Sequence, residues 1–253
     1  MCGQAESLQG VVSKLICQDD DKNQGVTPLG FKVIDALLSK NNGKRIHIDI
    51  KHMNVKSRNE YYQHLSSNYA NEDIPIIVSH GAVSGKDNAI DNNNTGKRFT
   101  TGDINFYDNE LLKIEASNGV FGIQLDERRI IHKKDRGIFK NTNIGKKKML
   151  RVRSEFVWRQ IEHIALILDA KNKDAWNTQC LGTDFDGIVD PLNGWWTARE
   201  LGFIDSYLEI HATTFLNSAK GKALKKKNKL RAEEIIAKFM YLNAEAFMQR
   251  YFV

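Results

Sequence analysis

The chain has 253 residues, of which 41% are hydrophobic and 27% charged; that supports a packed core and excludes global disorder. No apolar run reaches the roughly 18 residues of a membrane-spanning helix, and three cysteines, Cys2, Cys17 and Cys180, are too few for a disulfide framework. Lys and Arg outnumber Asp and Glu by 37 to 31, a net charge of +6, but the basic runs (Lys146 to Lys148 with Arg151 and Arg153, and Lys220 to Arg231) hold almost no aromatics and no nucleic-acid motif, so they read as solvated linker and helix ends and no specific nucleic-acid partner is expected.

Residues 1–26 are polar and irregular; only Leu8 to Ile16 has the apolar content of a short helix. The start lacks the basic-then-apolar layout of a secretory signal, so the chain taken by itself reads as cytoplasmic; a preceding segment would allow a periplasmic or membrane-associated location. Thr27-Pro28 opens a helix, Thr as N-cap and Pro at the first helical position, and Phe31, Ile34, Leu37 and Leu38 follow at helical spacing. Ile46, Ile48 and Ile50 alternate with polar residues, the pattern of a strand. Asn54 caps a helix through Tyr61, Tyr62 and Leu65. Ile74 to Val78 forms a second strand, with Pro75 near its start.

A long Asn- and Gly-rich loop, Gly81 to Asp103, has a length that usually signals function or disorder. Asp108 caps a helix carrying Leu111, Leu112 and Ile114, and Gly119 to Leu125 is a third strand. After a basic stretch, Phe156, Val157, Ile161, Ile164 and Leu168 mark one face of a strong amphipathic helix. Thr178 to Thr183 is a short fourth strand, and helices fill the chain from Ile204 onward. Strands alternating with helices predict a parallel sheet. No Gly-rich phosphate fingerprint follows any strand, which excludes a dinucleotide fold and a P-loop.

Three polar residues stand at strand C-terminal ends: His52, His80 and Asp184. Parallel α/β barrels gather their functional groups there. Two imidazoles and a carboxylate suit Zn²⁺ or a similar ion, and a carboxylate beside metal-bound water serves as general base. His47-Ile48-Asp49 offers a competing His-x-Asp metal pair; Asp49 reads alternatively as a group that holds Lys51 or His52 in place. His163, on the Phe156–Leu168 helix, reads as a packing or interface residue, and His64, His132 and His211 have no partner pattern. Trp195-Trp196 fits either a pocket wall or a cover for a barrel rim. No Gly-x-Ser-x-Gly elbow exists, and the cysteines lack a nucleophile's context.

These motifs together resemble the renal (membrane) dipeptidase family of zinc metallopeptidases, within the amidohydrolase-like barrels. Residues 24–30 resemble its helix entry, Asp49-Ile50-Lys51-His52 its Asp-Leu-x-His strand end, and Val78-Ser79-His80 its Ser-His strand end. Leu181-Gly182-Thr183-Asp184-Phe185-Asp186-Gly187 resembles Gly-x-Asp-Phe-Asp-Gly, the most specific motif of the set, and residues 243–247 resemble the Asn-containing terminal helix. The resemblance implies a (β/α)8 barrel with a two-zinc site that hydrolyses dipeptides. His52 and His80 would be ligands of one zinc and Asp184 the acid/base group beside the attacking hydroxide. The family's first-strand His-x-Asp ligands and bridging Glu fall upstream of the matched region and have no counterpart in residues 1–45. Its substrate-carboxylate Arg has none either: Ile104 falls near its place, and Lys97 or Arg98 could do its work.

The expected architecture is a single domain, 1–253: a polar segment, 1–26, then a matched region, 27–253. That region would be the C-terminal half, about four βα units, of a TIM-like (β/α)8 barrel. Four strands cannot close a barrel, so exposed sheet edges and an apolar inner face are expected, covered by a missing N-terminal half or by self-association. The expected function is zinc-dependent hydrolysis of dipeptides. The alternative is a catalytically inactive barrel remnant that binds an acidic partner through Lys225, Lys226 and Lys227.

Overall fold

The computed structural model describes residues 24–41, 43–91, 98–136 and 145–253. The expected N-terminal helix, Cys2, Cys17 and Lys97 lie outside them. Helix α1, Pro28–Leu38, begins at the Thr-Pro signal: Thr27 Oγ1 accepts from the Gly30 amide at 3.1 Å. Its last carbonyl, Leu38 O, accepts from Arg45 Nε at 2.6 Å, which satisfies an acceptor the helix itself leaves open. Asn54 caps α2, Val55–Asn68, through the Ser57 amide at 2.8 Å.

Three strands form one parallel sheet in the order β1 (Ile77–Gly81), β2 (Val120–Ile123), β3 (Gln179–Leu181). The expected first strand is reduced to an extended segment with a single parallel bridge, Asp49 to Ile77, and one bond from the Ile50 amide to Ile77 O at 2.9 Å. It lies beside β1, and only its C-terminal end is drawn in, since Ile46 is 62% exposed while Ile50 is fully buried. β1 starts later than the apolar run suggested. The Ile74 amide is used in a turn to Glu72 O and the Ile76 amide on Ser117 Oγ, so ladder pairing begins at Ile77. β1 also runs on to Gly81, so His80 is its penultimate residue. α3, Asp108–Ala116, is capped differently from expectation: the Glu110 carboxylate reaches back to the Tyr107 amide at 2.9 Å, so Asp108 is the first helical residue.

The amphipathic helix α4, Lys146–Ala170, buries Phe156, Val157, Ile161, Ile164 and Leu168 against α3, β2 and α5, Ile204–Asn217. The C-terminal helix α6, Asn243–Phe252, is fastened to the start of β3, where Asn243 Nδ2 donates to Trp176 O and Gln179 O, each at 2.7 Å. Its far end reaches the start of β1: Tyr251 Oη donates to Asp73 at 2.8 Å, and the Tyr251 ring lies 5.1 Å from that of His47.

The expected bare inner face is absent among the described residues. All four residues of β2 are buried. Phe121 and Ile123 join the hydrophobic core, and β1 bulges between Val78 and Gly81, where the Ser79 carbonyl lies against Gly122 and Gly182. A Cβ on either glycine would collide with that oxygen. The strand ends thus pack backbone to backbone where side chains would have held them apart. Two lysines of the basic run have partners within the chain. Lys225 Nζ donates to Asp169 O, and Lys227 Nζ to Asn172 O at 2.7 Å. Both cations sit at the carbonyl end of α4, where the helix dipole favours positive charge. Among the described residues no helix is long and apolar enough to cross a membrane.

Candidate functional site

His52, His80 and Asp184 converge at the C-terminal ends of the parallel strands. His52 Nε2 lies 3.2 Å from His80 Nε2, and Asp184 Oδ2 lies 3.7 Å from His80 Nε2. Each arrives by a distinct local device. His80 rides on the bulge of β1. His52 ends the extended edge segment in a turn with φ of 72°, and Asp184 leaves β3 with φ of 59°. Non-glycine residues in this left-handed region cost roughly 1 kcal/mol or more each. Asn118, Asn172 and Asp186 adopt the same region, so the conformation places His52 and Asp184 without by itself assigning them a role. Gly187 makes room for the carboxylate: a Cβ there would stand 2.5 Å from Asp184 Oδ1.

Behind the imidazoles is a layer that the sequence disclosed only in part. Asp49 Oδ1 accepts from the Lys51 and Ser79 amides at 3.0 and 3.1 Å, and Asp49 Oδ2 accepts from Ser79 Oγ. Ser79 Oγ is in turn 2.8 Å from His80 Nδ1. Asp49 thus clasps the two strand ends, its expected second role. His47 is separated from this layer. Its ring packs on Tyr251 and Phe252 of α6, so the His47/Asp49 pair is not assembled.

Lys51, the unspecified position of the Asp-Leu-x-His strand end, is the unexpected member. It is 7% exposed, and its Nζ is buried with no hydrogen-bond partner among the described residues. Burial, reinforced by the charges of Arg129 and Arg58, pushes its amine down to about 7. Burial also lowers both imidazoles, with the Lys51 charge next in importance. Neutral imidazoles are the form that binds metal.

The remaining histidines have structural partners. His163 Nε2 is 2.6 Å from Asp108 Oδ1, His64 Nε2 is 2.6 Å from Asp35, His211 bridges Ser154 Oγ and Arg151 O, and His132 Nδ1 accepts from the Lys134 amide. Arg98 is drawn to Glu162 at 3.2 Å and does not join the cluster. Trp195 is buried and stacks edge-on against Tyr207, while Trp196 is 54% exposed. Arg58 holds the residue that follows His52. Its guanidinium is 1% exposed, donates to Met53 O at 2.9 Å, and pairs with Glu110 at 2.7 Å and 3.0 Å.

The donor geometry fits one metal ion. Zinc–imidazole bonds of about 2.0–2.1 Å in a tetrahedral site place two nitrogens about 3.3 Å apart, and the observed separation is 3.2 Å. Among the described residues no group of three or more His, Cys, Asp or Glu side chains is gathered to hold an ion. The imidazole pair forms one edge of a coordination shell, with Asp184 beside it.

Two solved structures share this fold. One is described as the dipeptidase AC, a metallo peptidase of family M19. It superposes with a TM-score of 0.57 at 15% identity, over 90% of this chain and 50% of its own. The other is a metallo peptidase from Rhodobacter sphaeroides liganded with a phosphinate mimic of the dipeptide L-Ala-D-Ala. It gives a TM-score of 0.57 at 16% identity, over 91% of this chain and 48% of its own. The chain spans about half the length of these structures. No family model matches the sequence, and no curated protein does so. The fold is therefore α/β, and both neighbours are described as metallo peptidases, one of them a dipeptidase. The sequence motifs resemble the same group of proteins.

Proposed function

We propose that this chain carries one side of a zinc-dependent dipeptide-hydrolase site, on part of a TIM-like barrel. His52 and His80 would hold one ion, and Asp184 would act as acid and base. The observation that carries this reading is the approach of His52 Nε2, His80 Nε2 and Asp184 Oδ2 at the strand ends, in a chain that superposes on a dipeptidase and on a metallo peptidase liganded with a dipeptide mimic.

Zinc held there would polarise the scissile carbonyl and lower the pKa of an attacking water. The protein's own part is positional. Asp184 Oδ2 lies beyond hydrogen-bond reach of His80 but beside it, so it can take a proton from a nucleophilic water between them and return it to the leaving amine. The left-handed turn at Asp184 and the space over Gly187 keep that carboxylate facing the imidazoles.

The test combines metal analysis and turnover. Purified chain, stripped and then given zinc, should retain metal and hydrolyse a panel of dipeptides. His52→Ala or His80→Ala should lose the metal, and Asp184→Asn should keep the metal but lose at least a hundredfold in kcat. No bound zinc and no turnover would end the enzyme reading and favour the inactive remnant.

A further inference from the structure

We infer that Asp49 and Ser79 act as positioning residues that fix the two imidazoles in opposite tautomers in the metal-free chain, with His80 preset to bind an ion and His52 the member that must rearrange. The inference rests on the reading of His52 and His80 as ligands of one ion.

The argument is a count of protons. A carboxylate accepts hydrogen bonds and cannot donate them. Asp49 Oδ1 is already occupied by two backbone amides, so Asp49 Oδ2 is the oxygen that receives the Ser79 hydroxyl proton. A serine hydroxyl has one proton. Having given it to Asp49, Ser79 Oγ can only accept at its contact with His80 Nδ1, at 2.8 Å. His80 Nδ1 therefore carries the hydrogen. In the neutral ring this leaves the lone pair on Nε2, the atom that faces His52 and Asp184.

The assignment propagates one step further. His52 Nε2 lies 3.2 Å from His80 Nε2. Two lone pairs at that distance would repel, so His52 Nε2 carries the hydrogen and donates it. The two rings are thus asymmetric before any ion arrives. His80 presents its lone pair with the opposite nitrogen anchored to a serine, which is anchored to a carboxylate clasping both strand ends. An ion binding between the rings needs the His52 Nε2 lone pair as well. It must therefore displace that proton, which moves to His52 Nδ1, while the His80 ring stays as it is. Hydrogen-bonded partners behind ligand imidazoles set ring orientation and are typically worth 10- to 100-fold in metal affinity.

Long-range ¹H–¹⁵N correlation spectra of the metal-free chain at pH 8 read the tautomers directly. The expected result is His80 protonated on Nδ1 and His52 on Nε2, with only His52 switching when zinc is added. Asp49→Asn is the informative variant. Its amide would donate to Ser79 Oγ and turn the hydroxyl toward His80, so His80 should move its proton to Nε2, and zinc affinity should fall at least tenfold. Ser79→Ala should leave His80 a mixture of tautomers, and Ser79→Thr should restore the wild-type pattern. Wild-type His80 protonated on Nε2, or an Asp49→Asn spectrum unchanged at His80, would overturn the inference. None of these readings requires turnover. A chain with the expected tautomers that hydrolyses nothing refutes the dipeptidase reading and leaves this one standing.

Discussion

Lys51→Met provides the sharpest test of the electrostatics beneath the site. The amine of Lys51 is buried without a hydrogen-bond partner among the described residues, and its pKa falls from an ordinary 10.5 to about 7. A base whose pKa is lowered on folding costs stability wherever the unfolded chain holds the proton more tightly. Between about pH 7 and pH 10.5 the unfolded lysine is charged and the folded one is largely neutral. Wild-type stability should therefore rise with pH through that window. The full cost is present below about pH 7 and vanishes above about pH 10.5. Each factor of ten in the proton equilibrium is worth about 1.4 kcal/mol, which puts the ceiling at about 5 kcal/mol across the window. Local relaxation around the amine reduces this, and about 2–4 kcal/mol is expected at pH 7. Methionine fills the same volume without a charge. Urea unfolding in EDTA from pH 6.5 to 10 should find the variant more stable at pH 7 and converging with wild type near pH 10. Parallel stability profiles for the two proteins would refute the argument, because the lysine would then be solvated or paired in solution.

Two further substitutions probe how the strand ends are held. Arg58→Ala should destabilise the chain by about 3–5 kcal/mol in urea unfolding, because it leaves the buried Glu110 carboxylate unpaired; a loss under 1 kcal/mol would mean that Glu110 finds water. Gly187→Ala should shift unfolding by less than about 1 kcal/mol and yet lower turnover at least tenfold, since the new methyl would press on Asp184 Oδ1. Intact turnover would show that the carboxylate does not depend on that space.

The legible parts of the sequence were those set by local chemistry. Thr27-Pro28 and Asn54 cap their helices as read, and α4 buries the residues its periodicity marked. The parity of Ile76, Val78 and His80 placed that histidine near a strand end, and the Asp-Phe-Asp-Gly turn placed Asp184 at another. Strand limits were less legible, because an apolar run does not say where its neighbour begins. β1 starts at Ile77, where Asp49 supplies the first bridge, and the edge segment from Ile46 has no outer neighbour to pair with among the described residues. Arg98 was placed near the site by its position along the chain, but Glu162, 64 residues later, holds it elsewhere.

By itself, then, the sequence determined which side chains could do chemistry and at which end of the strands they stand, since strand alternation and turn residues are encoded within a few neighbouring positions. Only the tertiary structure decided what those side chains face. The 3.2 Å approach of His52 and His80 and the Asp49–Ser79–His80 chain join segments about 30 residues apart, and the buried Lys51 amine lies within the field of Arg129, 78 residues on. Such distances depend on how β1 bulges over Gly122 and Gly182, and no local propensity contains that information.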